Sequence, residues 1–273
     1  MKNIVLSAVA VAVLLNTSAW AAEPPAAIKA KGELTVAIMP NYPPMEYKDP
    51  ASNQLTGVDV DLGNAIGEKL GIKINWQEIA FEQMVNAVAT KRVDMVMSGM
   101  TDTQERQKVV SFIDYFKTGP QFYTLASRAD ITTSLDLCGK KVGTSRRTTF
   151  PQEIAKWSQA NCEKAGKPAI VVVGAEGTAD ARTQLRQQRI DAVVQGSETL
   201  PYIMDLEKGK FKPLDKAFAF QYTGMAIDKN NPELISAVQA AVNEMIADGT
   251  YMKILTKWGL SDGGVSSATV NQG

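Results

Sequence analysis

The hydrophobic pattern of the chain alternates between runs typical of strands and runs typical of helices. In its first part the pattern predicts strands at 34–39, 72–76 and 93–97, and helices at 59–70 and from Phe81 through Val88. The helix at 59–70 is expected to begin at an N-cap carboxylate, Asp59 or Asp61, and to end at Gly71. Strands that alternate with helices are typical of an α/β protein.

A second set of elements follows in a similar order. The pattern predicts strands around Val142, at 169–173 and at 190–194, with helices at about 150–165 and 179–188. The segment Arg92-Val93-Asp94-Met95-Val96 has a counterpart in Arg189-Ile190-Asp191-Ala192-Val193, each after a helix and before a Ser/Gly turn. We interpret the two sets as two similar lobes; chance similarity of two short buried strands is the alternative.

The remaining segments are less periodic. The pattern predicts an extended segment at 217–221, a helix at 232–247 with Pro232 at its first position, and a short helix at 251–258. Residues 261–273 are small and polar, so we expect them to form a flexible tail.

The N-terminus has the pattern of a cleaved signal peptide. Lys2 precedes an apolar run from Ile4 to Leu15, and Ala19-Trp20-Ala21 supplies the small residues that a signal peptidase requires. The run is too short to cross a bilayer, which needs about 20 residues. We therefore expect residues 1–21 to be removed and the protein to be exported to the periplasm; a retained membrane anchor is the alternative.

The amino-acid composition argues against several classes of function. The chain has 29 basic and 29 acidic side chains and no histidine, which excludes a Ser-His-Asp triad, a Cys-His dyad and imidazole metal ligands. The balanced charge argues against a nucleic-acid partner. No glycine pattern for nucleotide phosphates occurs, and no metal or cofactor is expected. In an oxidising compartment Cys138 and Cys162, which lack the C-x-x-C spacing, are predicted to form a structural disulfide.

A cleft between two lobes is where small ligands bind, and polar turns follow the strands that should border it. Ser98, Gly99 and Thr101 follow the strand at 93–97, and Arg106 begins the next helix. Their hydroxyls, backbone N–H groups and guanidinium suit a carboxylate. The alternative is an ordinary turn capped by Thr103, with Arg106 in solvent.

Two further segments could border the same cleft. Tyr42, in a Tyr-Pro-Pro-Met-Glu-Tyr segment, and Phe81 could provide aromatic walls, or they could be a half-buried turn residue and a core residue. Arg146-Arg147-Thr148-Thr149 precedes a helix, where adjacent arginines repel the positive end of the helix dipole and would attract an anion. A solvated basic pair is the alternative.

From Gly32 to about Leu260 the chain resembles the bacterial periplasmic amino-acid-binding proteins of ABC importers, which include lysine/arginine/ornithine, histidine and glutamine receptors. The resemblance is carried by Gly32-Glu33-Leu34-Thr35-Val36-Ala37, Tyr42-Pro43-Pro44-Met45-Glu46-Tyr47, Gly57-Val58-Asp59-Val60-Asp61-Leu62, Asp94 through Arg106, Gly249-Thr250-Tyr251 and Lys257-Trp258-Gly259.

The resemblance implies a two-lobed type II periplasmic-binding-protein fold with two hinge crossings. Residues 22–118 and 221–260 would form the first lobe and 119–220 the second. It implies a monomer that captures a small carboxylate-bearing ligand, an amino acid or related organic acid, and delivers it to an inner-membrane ABC permease. Tyr42 and Phe81 would stack on the aliphatic part of the ligand, Ser98, Thr101 and Arg106 would bind its carboxylate, and Thr149 would help from the second lobe. We count Gly99 and Thr148 among the ligand-binding residues as well.

Three positions depart from the family pattern. Gly196 stands where the family has an Asp that pairs with the ligand's ammonium, Arg147 replaces a Gly, and Met39 lies where relatives with cationic ligands have an acid. Glu198 could compensate for Gly196. Otherwise the ligand would lack an ammonium or carry a second carboxylate for Arg147. An enzyme similar to cyclohexadienyl dehydratase, with Glu198 as its acid, is the alternative to a receptor.

Overall fold

Two mixed β-sheets, each flanked by helices, form the architecture of residues 23–273, the part of the chain that the computed structural model describes. The predicted signal peptide at 1–21 lies outside these residues. The α/β class predicted from the sequence is confirmed.

The strands are β1 (Glu33–Ile38), β2 (Asn41–Tyr42), β3 (Glu46–Lys48), β4 (Leu55–Thr56), β5 (Lys73–Glu78), β6 (Met95–Val96), β7 (Val110–Thr118), β8 (Pro120–Leu125), β9 (Lys141–Ser145), β10 (Val171–Ala175), β11 (Ala192–Gly196), β12 (Phe211–Leu214), β13 (Gln221–Asp228) and β14 (Gly264–Val270). The helices are α1 (Ala26–Lys31), α2 (Val58–Leu70), α3 (Met84–Ala89), α4 (Gln104–Gln107), α5 (Phe150–Asn161), α6 (Thr178–Arg186), α7 (Leu200–Leu206), α8 (Pro232–Ala247) and α9 (Thr250–Lys257).

The first sheet has the order β14-β7-β13-β6-β1-β5 and the second the order β10-β9-β11-β8-β12. A third, small sheet of antiparallel strands has the order β2-β3-β4. We call the first and third sheets with their helices the first lobe, and the second sheet with its helices the second lobe. In each of the first two sheets three strands are parallel, β6-β1-β5 and β10-β9-β11, and their carboxyl ends carry the loops that the sequence singled out. Apolar side chains pack on both faces of each of these two sheets, so each lobe has its own core.

The chain crosses between the sheets twice, once at Gly119 and once between β12 and β13. The two crossing segments touch, since a β-carbon on Gly119 would lie 3.1 Å from the carbonyl oxygen of Phe218 and 3.2 Å from that of Ala219. A residue larger than glycine would therefore fit at position 119 only if its neighbours moved. The crossings therefore form one narrow hinge beside the space between the lobes.

The segment at 261–273 is not a flexible tail, and this expectation was wrong. β14 pairs with β7 at the edge of the first sheet, and Ala268 is 2% exposed. The Asn243 side chain accepts a 2.8 Å hydrogen bond from the Ala268 N–H, and Asp114 Oδ2 accepts one of 2.9 Å from the Gln272 N–H. The small residues of β14 let this strand lie close against α8. Their polarity had led to the expectation that the segment extends into solvent.

The start of α2 also differs from the expectation. Gly57, not a carboxylate, occupies the N-cap position, with a φ of 132° that strongly favours glycine. Asp59 is fully buried inside the first turn, where its side chain bonds to other segments. The predicted stop at Gly71 is confirmed, since this residue ends α2 in the left-handed conformation.

The predicted disulfide between Cys138 and Cys162 is confirmed, and it ties the segment before β9 to the end of α5. The sequence separation is 24 residues, a loop for which cross-linking contributes about 3 kcal/mol to stability. We expect dithiothreitol to lower the urea unfolding midpoint accordingly. A C138S/C162S double variant should unfold at the reduced midpoint and ignore the reductant; a midpoint in the parent protein that dithiothreitol leaves unchanged would contradict the prediction.

Candidate functional site

A cleft between the two lobes is bordered by the loops that follow β1, β5, β6, β9 and β10. The space between its walls amounts to about 730 Å³, a volume that includes the part open to solvent. Its walls contain nine of the ten residues predicted to bind the ligand, namely Tyr42, Phe81, Ser98, Gly99, Thr101, Arg106, Arg147, Thr148 and Thr149. Their contact with a ligand stays a prediction.

Ser98 and Gly99 reach the cleft, but their polar hydrogens are already bonded inside the protein. The Ser98 hydroxyl donates to Glu46 Oε1 at 2.8 Å and accepts from the Met39 N–H at 3.0 Å. The Gly99 N–H donates to Asp59 Oδ2 at 2.8 Å. In this arrangement neither group has a hydrogen left to offer a carboxylate, so the two acids position the loop from behind.

Arg106 presents a largely buried guanidinium to the cleft. Its Nη1 donates to the Thr101 carbonyl oxygen at 2.7 Å, and its guanidinium carbon lies 5.5 Å from the centre of the Phe81 ring. Thr103 caps α4 by accepting from the Arg106 N–H. Burial lowers the pKa of the Arg106 guanidinium below its usual value, and the charge of nearby Asp102 opposes that effect. Within residues 23–273 no acidic side chain forms an ion pair with Arg106, so its charge is available to an anion.

Glu198 lies behind Tyr42 and is 7% exposed. Its Oε1 accepts a 2.8 Å hydrogen bond from the Tyr42 hydroxyl, and its Oε2 accepts one from the Thr118 hydroxyl. Burial raises the pKa of Glu198, and these two donors oppose that effect. Among the ten predicted residues, Glu198 is the one that does not border the cleft directly; it borders a second cavity beside the hinge.

The position of Glu198 explains the glycine at 196. A β-carbon on Gly196 would lie 2.2 Å and 2.4 Å from the two carboxylate oxygens of Glu198, and 2.4 Å from the Tyr42 hydroxyl. The Glu198 carboxylate therefore occupies the space that a side chain at 196 would enter. That this carboxyl group takes the part of the aspartate in the family pattern stays a prediction.

Two buried acids, Glu46 in the cleft wall and Asp59 behind it, were not predicted as site residues. Glu46 is 2% exposed and its Oε2 has no hydrogen-bond partner in the described part of the chain. Asp59 accepts a 2.5 Å hydrogen bond from the Tyr115 hydroxyl in addition to that from Gly99. Burial, with Asp59 close by, raises the pKa of Glu46 well above its usual value. The motifs Tyr-Pro-Pro-Met-Glu and Gly-Val-Asp were the available signal, but no pattern showed that they meet.

Because some of the acids are buried, we predict that the free energy of unfolding falls as the pH rises. Burial raises the pKa of Asp59 to about 6 and that of Asp114, in β7, to about 7. Unfolded aspartates titrate near 4, so between about pH 4 and 7 the folded state holds more protons than the unfolded state. We expect a higher urea midpoint at pH 5 than at pH 7.5, with a smaller difference in Asp114→Asn. A midpoint that rises over this interval would contradict the prediction.

Arg147 lies at the mouth of the cleft and is already paired. Its Nη1 is 3.1 Å from Glu82 Oε1 of the first lobe, and its Nη2 is 3.7 Å from Glu176 Oε2 of the second. Arg146 also pairs with Glu176. The charge of these two adjacent arginines is therefore offset by two glutamates. Among the cleft-lining residues that the structure describes, Arg106 is the cation without an ion-pair partner.

The threonines after β9 are oriented by their own backbone and by the hinge. The Thr148 hydroxyl donates to the Ser145 carbonyl oxygen at 2.8 Å, and that of Thr149 donates to Gln221 Oε1 at 3.4 Å. Gln221 begins β13 at the second hinge crossing. Thr149 thus links the second-lobe wall of the cleft to the hinge.

Aromatic side chains also connect the lobes beyond the cleft. The ring centre of Tyr47, in β3, lies 5.6 Å from that of Tyr202 in α7 and 6.3 Å from that of Trp258. Tyr47 and Trp258 belong to the first lobe and Tyr202 to the second. Tyr47 is therefore sandwiched at the boundary that opening of the lobes would separate.

Residues 23–273 contain neither a metal-binding cluster of side chains nor a membrane-spanning helix. This part of the chain contains no cluster of three or more His, Cys, Asp or Glu arranged for a metal ion. None of its helices has the length and apolar character needed to cross a bilayer.

Comparison with known sequences decides the family. The profile of the bacterial extracellular solute-binding proteins, family 3, matches residues 34–261, most of the chain. The chain belongs to this family. The L-arginine-binding protein of Pseudomonas aeruginosa is 29% identical to this family 3 protein, over 94% of the present chain and 96% of its own. The histidine-binding periplasmic protein of Escherichia coli K12 is 28% identical, over 94% and 97%.

Solved structures of similar proteins have the same architecture. An ancestral arginine-binding protein bound to arginine matches with a TM-score of 0.73 and 33% identity, covering 83% of this chain and 98% of its own. An ancestral amino-acid-binding protein, AncCDT-1, described as a precursor of cyclohexadienyl dehydratase, matches with a TM-score of 0.74 and 32% identity, covering 85% and 97%. The predicted type II periplasmic-binding-protein fold is confirmed.

Proposed function

We propose that this family 3 protein is a periplasmic receptor for an α-amino acid, which it delivers to an inner-membrane ABC permease. The observation that carries the proposal is Arg106, a largely buried guanidinium that faces the cleft without an acidic partner in the described chain. A buried charge without a counter-ion is costly, and a ligand carboxylate would supply one with two parallel hydrogen bonds.

The proposed carboxylate site is smaller than the sequence suggested. Arg106 and Thr101 supply it from the first lobe, and Thr149 supplies it from the second by giving up its long 3.4 Å hydrogen bond to Gln221. Ser98 and Gly99, whose bonds to Glu46 and Asp59 are 2.8 Å long, shape the loop rather than donate to the ligand. Tyr42 and Phe81 provide the walls against which the aliphatic part of the ligand packs. Because the donors lie on both lobes, the ligand would hold the lobes together, and the closed form would be the form that a permease recognises.

The proposed site for the ammonium is the cleft wall at Tyr42, with the Glu198 carboxyl group directly behind the Tyr42 hydroxyl. Glu198 has two neutral hydroxyl partners, Tyr42 and Thr118, and no basic residue forms an ion pair with it in the described chain. No basic side chain of the described chain competes for this carboxyl group, so a ligand ammonium could pair with it. This supports a ligand that carries an ammonium, in spite of the glycine at 196.

The side chain of the ligand is proposed to be uncharged. Met39 borders the cleft where relatives with cationic ligands have an acid, which disfavours a lysine- or arginine-like side chain. At the mouth, Arg146 and Arg147 are offset by Glu82 and Glu176, so no free cation awaits a second carboxylate. The named relatives bind arginine and histidine, and both belong in the test as competitors.

A thermal-shift panel tests this function. Uncharged amino acids should raise the unfolding temperature, since a ligand at 100 times its Kd adds about 2.7 kcal/mol to stability. Arginine, histidine and glutamate should raise it less, and glutarate, which lacks the ammonium, should have little effect. No response to any amino acid would refute the receptor as proposed, and a larger response to glutarate than to glutamine would refute the ammonium site.

A dehydratase is the second candidate, and the buried Glu198 with its raised pKa is the observation that favours it. Such a group could protonate a leaving hydroxyl. The receptor proposal requires that a bound compound is recovered unchanged. Incubation of the protein with cyclohexadienyl acids, followed by chromatography, separates the two, because an enzyme would consume the compound.

A further inference from the structure

Four charged side chains form a network across the mouth of the cleft. Arg147 donates toward Glu82 at 3.1 Å and toward Glu176 at 3.7 Å, and Glu176 is shared with Arg146. Glu82 directly follows Phe81 on the first lobe, whereas the other three residues belong to the second. The link between Glu82 and Arg147 is thus the ion pair of this network that crosses between the lobes.

The network contributes little to stability but decides the charge of the mouth. The side chain of Arg147 is 44% exposed, that of Glu82 39% and that of Glu176 60%, and pairs this exposed contribute about 0–1 kcal/mol. Its two arginines and two glutamates sum to zero. Glu82, Glu176 and Arg147 all border the cleft, so this balance acts on whatever part of a ligand reaches the mouth.

We propose that Glu82 is a specificity-determining residue, which engages Arg147 and thereby excludes amino acids with an acidic side chain. The inference rests on the proposed amino-acid receptor. Without the charge of Glu82, Glu176 would be shared between two arginines, and the mouth would carry one net positive charge. A ligand carboxylate at the mouth would then meet an attractive guanidinium instead of a neutral pair with an exposed glutamate beside it.

Glu82→Gln is the direct test, with glutamine and glutamate as probes of equal shape. In the unaltered protein glutamine should bind more tightly than glutamate, measured by isothermal titration at constant pH and ionic strength. In Glu82→Gln the affinity for glutamate should rise about tenfold relative to that for glutamine, the effect of one partly screened charge at contact distance. Asparagine and aspartate repeat the comparison with a shorter side chain.

Two further variants separate selectivity from simple loss of an interlobe contact. Glu78→Gln is the matched control, because Glu78 is also an exposed acid of the first lobe but pairs with Lys48 at 2.7 Å, away from the cleft wall. It should leave the ratio unchanged. In the double variant E82Q/R147Q the mouth is neutral again, with Arg146 and Glu176 remaining, and the ratio should return to that of the unaltered protein.

The outcomes distinguish this inference from the function on which it rests. Equal weakening of glutamine and glutamate in Glu82→Gln would show that the pair only holds the lobes together, and would overturn the inference while leaving the receptor intact. An unchanged ratio would overturn it as well. Failure of every amino acid to bind the unaltered protein would overturn the proposed function, and this inference with it.

Discussion

Arg106→Gln should abolish amino-acid binding while leaving the unliganded protein at least as stable as before. The substitution removes the unpaired cation of the cleft wall, and the loss of a buried charge-assisted pair costs about 2–5 kcal/mol of binding free energy, or at least about 30-fold in Kd. The folded state loses one hydrogen bond to Thr101. It also no longer holds a buried charge without a counter-ion, which offsets that loss.

Arg92→Gln is the matched control, since Arg92 is an exposed arginine of the same lobe. Titration with the amino acid that gives the largest thermal shift should show unchanged affinity in Arg92→Gln and no saturable binding in Arg106→Gln. Urea unfolding without ligand checks that both variants fold. Equal affinity in the two variants would move the carboxylate site elsewhere.

Gly196→Asp should both destabilise the protein and prevent binding, although it restores the residue of the family pattern. Its β-carbon would collide with the Glu198 carboxylate and the Tyr42 hydroxyl. Its charge would be buried beside that of Glu198. Overpacking of this kind costs about 1–3 kcal/mol, and burial of a second like charge adds to it.

The double variant G196D/E198A should recover folding and amino-acid binding. It vacates the space that Glu198 occupies and supplies a carboxylate from position 196 instead. Glu198→Ala alone should fold but bind weakly, because no charge then faces the ammonium. Affinity and urea midpoints of the two single variants and the double variant form a double-mutant cycle. If Gly196→Asp and Glu198→Ala had additive effects, the two positions would not share one role.

The elements of this fold follow from local sequence to a large extent, because their signals are local. The helix at 232–247 begins at a proline and carries an uninterrupted apolar stripe, and α2 ends at Gly71. β14 was missed because its small polar residues are typical of a tail, and its order comes from α8 and β7, which lie far away in the sequence. An edge strand of this kind depends on its partners rather than on its own composition.

The candidate site shows the same limit more sharply. The sequence identified the loops that meet at the cleft, since parallel strands bring their carboxyl ends together. It did not show which donors remain free. The Ser98 hydroxyl is hydrogen-bonded to Glu46, and Arg147 is ion-paired with Glu82. In each case the acidic partner lies more than 50 residues away in the sequence. Pairing of this kind depends on tertiary contact, so the ligand's charge could only be argued after the partners were known.

The position of Tyr47 has a practical consequence. This tyrosine lies between Trp258, in its own lobe, and Tyr202, in the opposite lobe. Opening the cleft would move Tyr202 away from this cluster and admit water to the Tyr47 ring, which would alter the emission of the neighbouring indole. The protein therefore carries an intrinsic fluorescent reporter of its own closure, and stopped-flow recordings of capture and release would need no attached dye.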